Sequence, residues 1–172
     1  MPYGYSPAHR DYTGTIHLEQ ETFRRILNDI VESLLRHGVT RVLMLLGHWG
    51  NYDTALETKR AFEERGQGMQ IEVIRLFDDS VLDLEGLDAV FGGKYCHGHG
   101  GAREVAGALY ARPHLDPPPP EEVAERFPPL EERNYKELGW QGLPEEASAE
   151  RGEKAVEIVA DAIVRSLEKL ED

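Results

Sequence analysis

The sequence predicts an α/β fold in which helices cover a mostly parallel sheet. Three observations predict it: an amphipathic stretch from Phe23 to Leu35, a continuous apolar run from Arg41 to Leu46, and the same helix-then-strand order again up to Phe77. Chains that alternate in this way bury a sheet under helices, because each strand must return parallel to the one before.

Each element has a local reason. Phe23, Ile26, Leu27, Ile30, Val31, Leu34 and Leu35 recur at helical spacing, with Arg24, Arg25, Asp29 and Glu32 between them. Gly38 supplies the stop, and Arg36 and His37 put positive charge in the last turn. Arg41 to Leu46 reads as a buried strand. Asn51 to Arg65 carries Tyr52, Ala55, Leu56 and Phe62 among charges, a second helix ended by Gly66. Met69 to Phe77 reads as a second strand, and Gly101 to Ala111 as a short helix. Pro113 to Pro144 contains PPPP and PP, which predicts a long extended loop wrapping the same domain. A last helix follows, with Ala155, Ile158, Val159, Ala162 and Ile163 on its apolar face.

At 172 residues, 40% of them hydrophobic, the chain has length for one domain with its own core rather than two. A formal net charge of -13 excludes nucleic acid as a partner, since phosphate binding needs concentrated Lys and Arg. The single cysteine, Cys96, has no partner for an internal disulfide, which fits a reducing compartment. No apolar run approaches bilayer-spanning length, and MPYGYSPAHRDYTG lacks a signal-peptide pattern. The expectation is a cytoplasmic protein with no membrane partner.

Ligands of parallel α/β sheets bind beyond the carboxyl ends of the strands, and there the chain reads Gly47-His48-Trp49-Gly50-Asn51. The two glycines let a ligand approach the backbone, and Asn51 in its structural role caps the next helix. His48 is either a polar strand end or a metal ligand. A second cluster, Tyr95-Cys96-His97-Gly98-His99-Gly100-Gly101, puts histidines on a glycine-rich loop with Glu104 just beyond. In the first helical turn Glu104 suits the helix dipole. The other reading has imidazole and carboxylate converge on a divalent cation, for which zinc, manganese and iron all qualify. The residues leave both open. Cys96 reads as a small buried residue, because nothing pairs it with a base.

The string PYGYSPAHRDYTGTIHL, the helix end LLRHG, the strand end GHWGN, the HGGxxE of His99 to Glu104 and the late SAERG together resemble the creatininase-type metal-dependent amidohydrolases, in order and along essentially the whole chain. That resemblance implies a three-layer α/β/α sandwich, usually assembled as a hexamer. It implies two divalent metals that polarise an amide-like carbonyl and activate the attacking water. His48 matches the family's metal-binding histidine, and Glu104 a glutamate that is commonly a metal ligand. His99 matches a histidine close to the metals and a candidate proton shuttle, so His99 and Glu104 are the catalytic candidates. Trp49, Gly50, Asn51 and Tyr95 are expected to line the substrate pocket, Gly50 standing where some members carry another acidic ligand.

The sequence also departs from the family. The expected E-T-S is here Glu104-Val105-Ala106, without the two hydroxyls. An E-x-H motif and a bridging aspartate precede the equivalent of Tyr3 in the family, with a first strand and helix. Residues 1–172 therefore correspond to the C-terminal two-thirds of a single creatininase-like domain. His9 and Asp11 lie in a loop the family also has and are not expected to replace the absent ligands. The implied function is hydrolysis of a cyclic amide or amide-like C–N bond in a small molecule, by a homo-oligomer holding zinc, manganese or iron. The alternatives are an inactive or truncated paralogue that acts as a binding or assembly subunit, and a mononuclear site built from His48, His99 and Glu104.

Overall fold

Helix α1 spans Gln20–Arg36 and turns Phe23 and Val31 into the protein. Gly38, at φ +80°, ends it in the left-handed conformation that a side chain disfavours. Its N–H reaches Leu35 O at 2.9 Å, and Val39 N reaches Leu34 O at 3.0 Å. Strand β1 follows at Arg41–Leu46, then a 3-10 turn at Trp49–Asn51 and helix α2 at Tyr52–Glu64. Strand β2, Gln70–Arg75, lies parallel to β1 with Arg41 opposite Gln70 and Leu46 opposite Arg75. Six residues face six, so both strands end at one level.

In this computed structural model residues 3–12, 14–76, 82–93, 98–114, 143–168 and 170 are described. They fall into two units, Met1–Leu82 with Ala162–Asp172, and Asp83–Asp161. The core of the first joins Val31 of α1, Met44 and Leu46 of β1, Ala55 and Phe62 of α2, and Ile71 and Val73 of β2. Burying a side chain such as Phe62 or Ile71 contributes about 1.5–3 kcal/mol. Packing of this kind, more than helix propensity, holds α1 and α2 against the sheet.

At the surface Arg65 Nη1 donates to Glu32 Oε2 at 2.7 Å, tying the end of α2 to α1. That hydrogen bond, more than the charge of Arg65 itself, holds the Glu32 carboxyl below the usual carboxylate range. A folded-state pKa lowered in this way gives stability above the unfolded pKa and loses it as pH falls through the folded one.

The second unit begins with helix α3, Leu84–Val90, whose Asp83 cap accepts from Gly86 N at 2.9 Å. Helix α4 is Ala102–Ala111. A 3-10 turn at Pro144–Glu146 leads into α5, Ala149–Glu168, of which the residues up to Asp161 belong here. The SAERG string lies at the start of α5, and Ser148, Arg151 and Gly152 each have a packing task. Ser148 Oγ accepts from Arg151 N at 3.2 Å, a helix cap. Arg151 Nη1 donates to Glu146 O at 2.6 Å and to Glu146 Oε2 at 3.0 Å. Gly152 lets α5 touch α4, for a Cβ there would lie 2.0 Å from Ala106 O.

The expected strand Met69 to Phe77 is shorter, Gln70–Arg75, and α3 was not foreseen because its seven residues have little apolar periodicity. The proline-rich segment lies largely outside the described residues, which omit 115–142. Among the described residues no helix is long and apolar enough to cross a membrane.

Replacing Gly152 with Ala forces α4 and α5 apart and should cost about 1–3 kcal/mol, the usual range for overpacking. Denaturant melts of the wild type and Gly152→Ala chains check this; equal stability would mean the helices do not meet there.

Candidate active site

The matched strand ends fix the floor of the site. Leu76 N donates to Leu46 O at 3.1 Å, so the chain leaving β2 stays beside the turn that follows β1. That turn carries His48, half-buried, then exposed Trp49 and half-buried Gly50 and Asn51. His48, two residues past the end of β1, is extended at φ -134° and ψ 130° just before the 3-10 turn.

A segment near the start of the chain packs over this turn. Asn51 forms no side-chain cap on α2, as the sequence had suggested it would. Its Oδ1 instead accepts from Tyr5 N at 2.9 Å. The approach is close enough that a Cβ on Gly4 would sit 2.6 Å from that oxygen. A Cβ on Gly50 would sit 2.6 Å from Tyr5 O and 3.0 Å from His48 Nε2. The glycines of PYGY and GHWGN are therefore spacers between two touching backbones. The same segment folds on itself: Leu18 N reaches Gly4 O at 3.0 Å, and Ser6 N donates to His17 Nδ1 at 3.1 Å.

This packing brings an unexpected residue to His48. His9, only 9% exposed, lies with its ring centre 5.7 Å from that of His48, in an edge-to-face pair at 70°. Its Nδ1 is 3.0 Å from Ser6 Oγ. Trp49 is 63% exposed yet held in place, because the Arg75 guanidinium lies 4.2 Å from its ring centre and 4.1 Å from that of Tyr52. Each such contact contributes roughly 0.5–1 kcal/mol at an exposed site. Arg75 stands at the last position of β2, opposite Leu46, which is why it reaches the turn after β1.

The remaining candidates lie in the other unit. Glu104 is in the first turn of α4, and its Oε2 accepts from Gly100 N at 2.6 Å, so it closes the helix start as the dipole argument expected. His99 is exposed between Gly98 and Gly100, whose φ values of 97° and 63° make the sharp bend that glycine permits. Tyr95 lies outside the described residues.

A divalent cation fits this donor set only in part. Two adjacent imidazoles are nitrogen ligands of the type zinc and manganese accept. Among the described residues no group of three or more His, Cys, Asp or Glu side chains is arranged to hold a metal.

The creatininase family pattern, described as creatinine amidohydrolase, matches residues 1–167. The chain belongs to the creatininase family. Solved creatininases have the same fold. A tryptophan-to-phenylalanine mutant superposes with a TM-score of 0.77 at 23% identity, over 99% of this chain and 74% of that one. A structure named as the manganese creatininase gives 0.75 at 23% identity, with the same coverage. A glutamate-to-glutamine mutant described as Zn-Zn type gives 0.74 at 23% identity, again over 99% and 74%. No curated protein sequence matches the chain. The creatininase-like α/β fold expected from the ordered motifs is thus observed, with its described sheet made of β1 and β2.

Sequence reasoning missed His9 and Arg75. Arg75 was legible in principle, as a charge ending an apolar strand level with GHWGN. His9 was weighed and set aside as a loop residue, since only the fold of the first segment brings it to His48.

Gly50→Ala should push the first segment off the turn, costing about 1–3 kcal/mol. Thermal melts check it, and an unchanged melting temperature would show that Tyr5 does not press on Gly50.

Proposed function

We propose that the chain is a metal-dependent amidohydrolase of creatininase type, hydrolysing a cyclic amide or amide-like C–N bond of a small molecule. The observation that carries this reading is His48, an imidazole at the carboxyl end of a parallel strand, where ligands of such sheets bind. Membership of the family supports it, and so do relatives named as manganese and zinc forms.

His48 is the metal ligand from the first unit, and Glu104 and His99 follow by their match to the family's motif, Glu104 as ligand and His99 as proton carrier. Zinc, manganese or iron, when bound, supplies a Lewis acid for the carbonyl and a water acidic enough to attack it. The protein's own share is orientation and shelter. Trp49, braced by Arg75, offers a flat apolar wall against which a planar amide ring packs. Gly50 shapes the edge of the pocket, because its missing side chain lets Tyr5 O pack beside His48 Nε2. Asn51 shapes the pocket indirectly, by fixing Tyr5. Residues 1–172 act as one creatininase-like domain in this reading, in a cytoplasmic homo-oligomer.

A second reading, a subunit that binds or assembles without hydrolysing, draws on the lack of a grouped three-ligand set among the described residues. Turnover decides between them. With zinc or manganese supplied, cyclic ureas, formamides and peptide-like amides are assayed for hydrolysis. The amidohydrolase reading expects turnover of at least one class, abolished by a chelator and reduced about 100-fold or more in His48→Ala. Binding without turnover, or turnover indifferent to His48→Ala, would favour the subunit.

A further inference from the structure

A shallow groove of about 420 Å³ runs along α1, lined by Ile26, Asp29, Ile30, Ser33 and Leu34, and by His37 at its end. These residues recur three and four apart, the spacing of one helical face. Ile30, in the middle of the groove, is 47% exposed. Such a face fits another helix laid along it. We propose that it pairs with the same face of a second copy of the chain, the two α1 helices packing antiparallel about a two-fold axis. The proposal rests on the homo-oligomer of the reading above and names its surface; the amide chemistry plays no part in it.

Three observations select a second copy as the partner. The first is charge. The chain carries a formal net charge of -13, so two copies repel over most of their surfaces. Along α1 the charges balance, with Glu21, Asp29 and Glu32 against Arg24, Arg25 and Arg36. A second copy can approach here without that repulsion. A strongly basic partner would find more attraction elsewhere on the chain.

The second is self-complementarity. Asp29 and Arg36 stand two helical turns apart, so they lie on one flank of the groove. A two-fold axis midway between them sets Asp29 of each copy opposite Arg36 of the other, and the same ion pair forms twice. Arg36 is able to make it. Its side chain is 74% exposed and comes no nearer than 3.8 Å to Glu32, which already accepts from Arg65 at 2.7 Å.

The third is shape. The same axis passes beside Ser33, a small residue whose hydroxyl turns back to Asp29 O at 2.7 Å. The two helices can therefore come close where they cross. Ile30 of one copy then falls level with the gap between Leu34 and His37 of the other, a knob entering a hole. A pair of 17-residue helices, each about 25 Å long, makes a small interface, so a dimer that dissociates at micromolar concentration is expected.

The test is sedimentation equilibrium of the full chain, as wild type and as Asp29→Arg, Arg36→Asp and Ile30→Glu. The wild type should self-associate, and each substitution should weaken that by about tenfold or more, since it sets like charges opposite or buries a charge. Asp29→Arg and Arg36→Asp carry opposite charges at the two matched positions. Mixed in equal amounts, they should associate with each other although neither pairs with itself, which a misfolded variant could not do. A wild type that stays monomeric up to about 1 mM overturns the proposal. So do single variants that associate as the wild type does, and folded variants that fail to associate when mixed. Assembly that ignores all three substitutions removes α1 as the surface and leaves the homo-oligomer standing. Hydrolysis is assayed on the same samples. Pairing through α1 without turnover upholds the surface and removes the amidohydrolase reading, and turnover by a chain that stays monomeric does the reverse.

Discussion

The hydrogen bond from Tyr5 N to Asn51 Oδ1 is the contact on which the rest of the site depends. It joins the first segment, which holds a 3-10 turn at Pro7–His9, to the turn that follows β1. The bonds from Leu18 N to Gly4 O and from Ser6 N to His17 Nδ1 are internal to the segment, whereas this one ties it to the strand end. A half-buried bond of this kind contributes on the order of 1 kcal/mol net, and leaving either partner unpaired costs more. Gly4 and Gly50 allow the two backbones to come within reach of it, so the geometry is set by the absence of side chains as much as by the bond.

From that contact the site can be built outward. The parallel register brings β1 and β2 to a common end, which puts Arg75 under Trp49 and Tyr52. The loop over the turn puts His9 beside His48. One side of the turn therefore presents an aromatic wall and the other a pair of imidazoles. Both depend on the buried cluster that holds α1 and α2 to the sheet, because movement of either strand would shift the turn.

Much of the fold was legible in the sequence. The apolar period of α1, the unbroken run of β1 and the glycines at 38 and 66 mark their elements because local physics decides them. Helix α3 was not legible, since a short helix held by an Asp83 cap and buried Leu87 leaves little pattern. The site was legible only in part. His48 stands out as an imidazole at the end of an apolar strand. Asn51 was read as a helix cap, a local role, whereas its actual partner is 46 residues away. His9 was set aside as part of a loop common to the family, and only tertiary packing brings it to His48. The SAERG string could be taken for chemistry, yet its serine, arginine and glycine cap, brace and close-pack a helix.

The most direct measurement of this account is native-state hydrogen exchange at the Tyr5 amide, in the wild type and in Asn51→Ala. If the loop is locked to the strand end by that bond, the Tyr5 amide is protected in the wild type, and the protection falls at least tenfold in the variant while the β1 amides keep theirs. A Tyr5 amide that exchanges freely in the wild type would contradict the account, because the loop would then have no fixed hold on the turn that carries His48.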